Sequence, residues 1–423
     1  MVAMSLVYLD HNATAPLLPE VADALDRAQR EGWANPASQH AAGRRARRFV
    51  EDARERIGEI LGVKMTSHRP DRVLFTSGGT EANNLALFGF AANAEREARN
   101  AELHTSIPHS EFRTPHSALI SAVEHPSVRG PAARLAERDW QIDTIPVDRD
   151  GRIDVAAFAA QLQPDVRFVS AMLGNNETGV LQPIAEMARL CREQRIVMHT
   201  DATQCVGKVP VDFTALGVDA LTATAHKFHG PLGIGLLIVR REITLEPLLV
   251  GGFQQEGLRP GTETPALVAG LLAALEAYVR EGVERTQRLA ALRDDLEARL
   301  TAAIPDLVIH GRGVPRLPQT TNGAFVGVDR QALFLALDRA EVACSTGSAC
   351  ASGSSEPSPT LTAMGLPTSE IQSSLRFSVG ATTTAAEIAS AAERIVREYR
   401  DLRRLGEGRK IPVSRRSPDP FAI

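Results

Sequence analysis

Phe75-Thr76-Ser77-Gly78-Gly79-Thr80-Glu81 reads as the end of a strand, a two-glycine turn and the start of a helix. The same pattern repeats outward from it. Apolar runs at Arg72–Thr76, Ala118–Val123, Val166–Met172, Ile196–Ala202, Ala220–Ala225 and Gly233–Arg240 predict strands. Helical patterns at Glu81–Ala94, Ser127–Ala136 and Pro183–Gln194 fall between several of them. Buried strands alternating with helices predict an α/β domain with a mostly parallel sheet. Such sheets hold their ligands at the carboxyl ends of the strands. The residues just after each strand therefore matter most.

After Pro265 the pattern changes. Leu289, Leu292, Leu296 and Leu300 recur at helical spacing, and further strand and helix signals run to about Leu402. The expected organisation is a large domain over residues 20–264, a smaller α/β domain from 1–19 and 265–402, and a mobile tail over 403–423. The tail carries six basic and two acidic residues and three prolines. The polar stretch Asn100–Pro115 reads as a surface insertion.

Composition narrows the function classes. The chain has 423 residues, 43% hydrophobic and 23% charged, enough for a large core without staples. A net charge of −4 argues against a nucleic-acid binder held by bulk charge. The arginines of Arg44–Arg56 have Glu51, Asp52 and Glu55 among them, as on a solvated, self-paired helix face. No apolar run is long enough to span a membrane, and Met1–Asn12 lacks a signal-peptide layout. Four cysteines make no disulfide framework, which points to a reducing cytoplasm. Only four of the 47 basic residues are lysines: Lys64, Lys208, Lys227 and Lys410. Chemistry that needs an amine has few candidates.

Four stretches could carry chemistry. The Gly78-Gly79-Thr80 turn offers free N–H groups and a helix dipole to a phosphate, or is a plain strand-to-helix turn. It is neither a P-loop nor a dinucleotide fingerprint. Asp201 ends an apolar strand, where it meets a cation or protonated nitrogen, or else caps a turn. Lys227 follows an apolar strand and precedes a Gly-Pro turn. It is the best placed of the four lysines for a desolvated amine, against a solvated turn lysine. Lys208 reads as a turn residue before Val209-Pro210. A phosphate cradle, a strand-end acid and a lysine after a later strand are together what a pyridoxal-phosphate site requires. The fourth stretch, Cys344-Ser345-Thr346-Gly347-Ser348-Ala349-Cys350-Ala351-Ser352, is small and polar. Cys350 within it is either a nucleophilic thiol or an inert one, while Cys344 ends an apolar segment and is expected inside. No ligand spacing for a metal is present. His104, His109 and His116 are not spaced as ligands.

The chain resembles the class V pyridoxal-phosphate enzymes, in their cysteine desulfurase branch. The resemblance runs from Tyr8-Leu9-Asp10-His11-Asn12-Ala13-Thr14 to about Arg397. It rests on Asn35-Pro36-Ala37-Ser38, Thr76–Asn84, Glu124-His125-Pro126, Asn175-Asn176-Glu177-Thr178-Gly179, Asp201–Gln204, His226-Lys227, Arg259-Pro260-Gly261-Thr262, Ser373–Phe377 and, most specifically, Thr346–Cys350. The long stretch from Cys350 to Arg376 resembles the long-loop branch that feeds iron–sulfur cluster assembly. Thr224-Ala225 and Pro260 depart from the family pattern, which usually has Ser-Gly and Ser there.

This resemblance implies a fold type I, homodimeric enzyme that takes sulfur from L-cysteine, leaves L-alanine, and holds a persulfide on Cys350 for an iron–sulfur scaffold or another acceptor. A selenocysteine lyase or another class V aminotransferase is the alternative. It implies pyridoxal 5'-phosphate carried by Lys227, with Asp201 on the ring nitrogen and Asn176 and Gln204 at the ring hydroxyl. Gly79, Thr80, Thr224 and His226 would bind the phosphate, with Thr262 entering from the neighbouring subunit. His125 would stack on the ring and move protons. Arg376 would clamp the substrate carboxylate, with Asn35 nearby. From ligand spacing, net charge and the apolar runs, no metal, nucleic acid or membrane is expected.

Overall fold

In the computed structural model the described residues are 5–66, 68–103, 116–347 and 356–407. The chain opens with a short strand, β1 (Val7–Tyr8), and two helices, α1 (Pro19–Glu31) and α2 (Ala41–Ile60). Next comes the large sheet: β2 (Arg72–Thr76), β3 (Ser117–Ser121), β4 (Gln141–Ile145), β5 (Val166–Ser170), β6 (Val197–Asp201), β7 (Ala220–Thr224) and β8 (Gly235–Val239). Between these strands run α3 (Gly79–Leu103), α4 (Pro126–Ala136), α5 (Val155–Gln161), α6 (Ile184–Glu193) and the single turn α7 (Phe213–Leu216). The strand order is β2-β8-β7-β6-β5-β3-β4, and only β8 runs against the rest.

Successive strand residues face opposite sides, and both sides are apolar. Val73, Phe75, Leu119, Val169, Met198 and Leu221 enter one core, with residues of α1, α2 and α6. Leu74, Ile120, Phe168, Leu237 and Val239 enter a second core beneath α3 and α4. Helices thus cover both faces, as a largely parallel sheet requires. Its free surface is the edge at the carboxyl ends. β8 begins there at Gly235, where a Cβ would lie 2.5 Å from the backbone of Gly78. Only glycine lets β8 pack against the turn that starts α3.

The rest of the chain builds a third core. The long helix α8 (Pro265–Ala303) is followed by β9 (Leu307–Ile309), β10 (Thr320–Phe325), α9 (Arg330–Arg339) and β11 (Val342–Ala343). Then come α10 (Pro359–Ala363), α11 (Thr368–Ile371), β12 (Ser374–Ser378) and α12 (Ala385–Glu407). β10 pairs antiparallel with β9 and β12, and β1 pairs parallel with β11. Val268–Ala277 of α8 pack in the first core, but Leu289–Leu300 pack with Phe325, Phe377 and Ile395 in the third. The change falls at Gly282, whose φ of 50° and ψ of −125° break the helical path. A left-handed φ of this kind favours glycine.

Candidate active site

At the carboxyl edge a cavity of ≈ 270 Å³ is lined from several strands at once. The α3 start brings Gly79 and Thr80, the residues after β3 bring His125, the turn after β5 brings Asn176, and the end of β6 brings Asp201 and Gln204. Thr224, His226 and Lys227 follow along β7 and its one-turn 3-10 helix, and Arg376 enters from the middle of β12. Ten of the candidate residues therefore meet in one place. Thr262 is exposed and outside this cavity. Asn35 lines a separate surface hollow with Phe253 and Gln254, its Oδ1 accepting from the Ala37 N–H. Cys350 lies outside the described residues, as do residues 104–115 and 408–423.

Lys227 Nζ donates to the carbonyl oxygens of Asn12 and Ala13, both at 2.7 Å. Asp201 is almost fully buried. Its Oδ1 accepts from the Thr203 N–H (2.9 Å) and its Oδ2 from Asn83 Nδ2 (2.8 Å). Asn83 also donates to Ser127 Oγ at 2.8 Å, and that hydroxyl lies 2.8 Å from His125 Nδ1. The Ser127 N–H donates to the same Nδ1 at 3.1 Å, so His125 caps the start of α4. A nitrogen that accepts a backbone N–H carries no proton, so the ring proton sits on Nε2. Burial chiefly lowers the His125 pKa. Asp201 opposes the shift, and Lys227 and Arg376 add to it. The ring is thus a neutral hydrogen-bond donor. His226 is likewise lowered, to about 4, by burial and then by Lys227 and Lys208.

Glu124 points the other way. Its Oε1 accepts from the Met172 N–H at 2.6 Å, and Oε2 is buried without a partner. Burial, then the nearby Asp201, raise its pKa well above the usual range. The surroundings of Glu124 thus favour its neutral form.

Arg376 is 1% exposed. Its Nη1 donates to the carbonyls of Asn176 (3.0 Å) and Gly347 (2.9 Å), and Nη2 donates to Asp10 Oδ1 (2.7 Å). Nε is buried with no partner. Nε and one N–H of Nη2 share an edge of the guanidinium, the fork that grips a carboxylate. A second buried polar atom without a partner is Thr203 Oγ1, 3.3 Å from where a Cβ on Gly79 would stand. It marks space for an acceptor beside the α3 N-terminus. Thr224 Oγ1 donates to the Ile234 carbonyl. These features suit pyridoxal 5'-phosphate: a helix start with an unspent hydroxyl for the phosphate, a carboxylate for the ring nitrogen, and an amine between them.

Sequence reasoning gave no role to Asn12, Asn83, Ser127, Thr203 or Lys208. The first four lie inside or next to the quoted motifs. Lys208, read as a turn residue, is in a turn but is 6% exposed, its Nζ donating to Gln204 Oε1 at 2.7 Å. Its spacing of four residues from Gln204 was the available signal. Cys344, expected inside, is buried, and burial pushes its thiol pKa up. Among the described residues no three His, Cys, Asp or Glu side chains gather as a metal site. No helix among them is long and apolar enough to cross a membrane.

The family model described as aminotransferase class V matches residues 7–390. The chain is 37% identical to a cysteine desulfurase named IscS from Dictyoglomus turgidum, covering 94% of this chain and 96% of the relative. It is 38% identical to the cysteine desulfurase NifS of Azotobacter vinelandii, covering 93% and 92%. Among solved structures, a NifS-like protein from Rickettsia africae superposes with a TM-score of 0.80 at 30% identity, covering 93% of this chain and 99% of that one.

Proposed function

The chain belongs to the class V aminotransferase family and is a cysteine desulfurase, and from that premise we propose how its residues act around pyridoxal 5'-phosphate. One observation carries the reading: Lys227, Asp201 and Arg376 line one cavity in which Thr203 Oγ1 and Arg376 Nε are buried without partners. When bound, the cofactor supplies an electron-withdrawing ring that makes the substrate Cα–H bond acidic. The α3 start with Gly79 and Thr80 would hold the phosphate, with Thr203, Thr224 and His226. Asp201 would keep the ring nitrogen protonated, with Asn176 and Gln204 at the ring oxygen. Lys227 Nζ would carry the cofactor and, once released by the substrate amine, take and return the Cα proton. The free edge of Arg376 would bind the substrate carboxylate. His125 would stack on the ring and donate from Nε2.

Cys350 would complete the reaction. Its thiolate attacks the sulfur of L-cysteine, an S–S bond forms, and the C–S bond breaks with its electron pair returning to the carbon skeleton. That carbon takes a proton and leaves as L-alanine, and the enzyme keeps the persulfide. The persulfide then passes its outer sulfur to an acceptor, an iron–sulfur scaffold protein among them. A second copy of the chain would cover exposed Trp33, Val250 and Phe253 and bring Thr262 to the site. The unpaired, buried thiols of Cys191, Cys205 and Cys344 suit a reducing cytoplasm.

The test is an L-cysteine assay that scores alanine and bound sulfur together. The unaltered enzyme should release alanine and carry the extra sulfur on the peptide containing Cys350. Cys350→Ser should release essentially none. Alanine release by Cys350→Ser at the unaltered rate overturns the mechanism.

A further inference from the structure

We propose that Lys208 is a positioning residue for the cofactor, fixing the amide of Gln204 so that an N–H of Nε2 faces the cavity. The inference rests on the cofactor reading above. Lys208 does not line the cavity and sits behind Gln204, one turn further along the chain. Lys208 Nζ donates to Gln204 Oε1 at 2.7 Å, and Gln204 Nε2 donates to the Asn12 carbonyl at 3.0 Å. An amine nitrogen on this side and a carbonyl oxygen on the other leave one favourable orientation. A flipped amide would set N–H groups against the lysine and oxygen against oxygen. The second hydrogen of Nε2 is then left for the cavity, where the ring oxygen would accept it.

The same Asn12 carbonyl accepts from Lys227 Nζ at 2.7 Å. Lys208, Gln204, Asn12 and Lys227 therefore form one hydrogen-bonded line that ends at the cofactor-carrying amine. The Lys208 backbone is pinned from outside by Thr286 Oγ1 of α8, which donates to its carbonyl at 2.9 Å. Among the described residues no carboxylate pairs with the Lys208 amine. A buried cation without a counter-charge costs stability. An apolar side chain would fill the same space at less cost, so the amine is kept for what it donates. Burial, with Lys227 nearby, lowers its pKa to about 7. An amine donates in either protonation state, so the amide stays fixed across neutral pH.

The test compares cofactor-free full-length protein titrated with pyridoxal 5'-phosphate, the visible absorption band of the bound cofactor, and thermal unfolding of the cofactor-free protein. Lys208→Met should bind about tenfold or more weakly and shift the band, since a hydrogen bond from a charged donor is lost. Its unfolding temperature should be unchanged or higher. Lys208→Gln keeps an N–H donor and should stay within about threefold of the unaltered protein by the same reasoning. On a Gln204→Leu background, Lys208→Met should cause no further loss. The proposal fails if Lys208→Met binds normally, if Lys208→Gln is no better than Lys208→Met, if the loss persists in full without Gln204, or if Lys208→Met unfolds early and so proves to be a core residue. If the unaltered protein takes up no cofactor, the functional reading itself falls. Equal binding by the unaltered and Lys208→Met proteins sinks this inference alone.

Discussion

Asp201 and Lys227 reach the cavity from the ends of β6 and β7, whereas Arg376 reaches it from the middle of β12 in the smaller sheet. At a strand end the ladder is finished, and each side chain is held by side-chain hydrogen bonds, Asp201 by Thr203 and Asn83 and Lys227 by the carbonyls of Asn12 and Ala13. Arg376 has a ladder on both sides, to Asn322 of β10 and to Ser345. Its guanidinium is also shared among Asp10, Asn176 and Gly347. The contribution of the small sheet depends on how the two parts of the chain are joined. One such joint is His229, whose Nδ1 donates to the Pro16 carbonyl (2.7 Å) while its Nε2 accepts from the Ala381 N–H (3.0 Å).

Lys227→Ala should leave the fold intact, abolish the covalent link to the cofactor, and cut alanine formation by at least about 10⁴, the upper range for a lost proton-transfer group. A folded Lys227→Ala protein that retained its bound colour and turnover would remove the strand-end reading altogether. Asp201→Asn should lower kcat by about 10²–10³, the 2.7–4 kcal/mol lost with an electrostatic partner. Both effects should appear in kcat.

Arg376→Lys should differ in kind. A lysine cannot fork a carboxylate, so KM for L-cysteine should rise roughly 10- to 100-fold, with a smaller change in kcat. Steady-state kinetics decide this, and a pure kcat effect would place Arg376 with the strand-end group. The smallest effect concerns the joint. Burial chiefly lowers the His229 pKa to about 4, from an ordinary 6.5. The unfolded chain therefore binds a proton that the folded chain refuses, and stability falls as pH drops from about 6.5 towards 4. Protonation at Nε2 would also cost the bond from Ala381. Urea unfolding at pH 7 and pH 5 should show a pH penalty smaller by about 1–2 kcal/mol in His229→Gln than in the unaltered protein.

Legibility in the sequence followed the same division. Six of the seven strands in the large sheet were visible because they are short apolar runs buried on both faces. β4 was not, because an edge strand of sequence Gln-Ile-Asp-Thr-Ile keeps polar, exposed positions and mimics a loop. Helices α1 and α2 precede the first strand of the large sheet, outside the alternation that announced the rest. In the site, Asp201 and Lys227 were legible because a charged residue after an apolar run is conspicuous. Asn83 sits inside a helix and Ser127 at the start of one, where amides and hydroxyls are ordinary. Arg376 has no local signal, one of many arginines, and only the family motif pointed to it. The burial of Lys208 is a tertiary fact: Thr286 of α8, distant in the chain, closes over that turn.

The three thiols inside the cores have a practical consequence. Cys191, Cys205 and Cys344 are buried and unpaired, and burial raises the pKa of each, that of Cys191 to about 12. Thiolate is the form that reacts with alkylating and disulfide reagents. A brief exposure of the native enzyme to a chromogenic thiol reagent should therefore draw little background from these three, so that any fast reaction reports on the fourth cysteine, Cys350, proposed above as the sulfur carrier. If that proposal holds, active centres can be counted in a cuvette, and a dye or cross-linker can be attached without first removing the three buried cysteines.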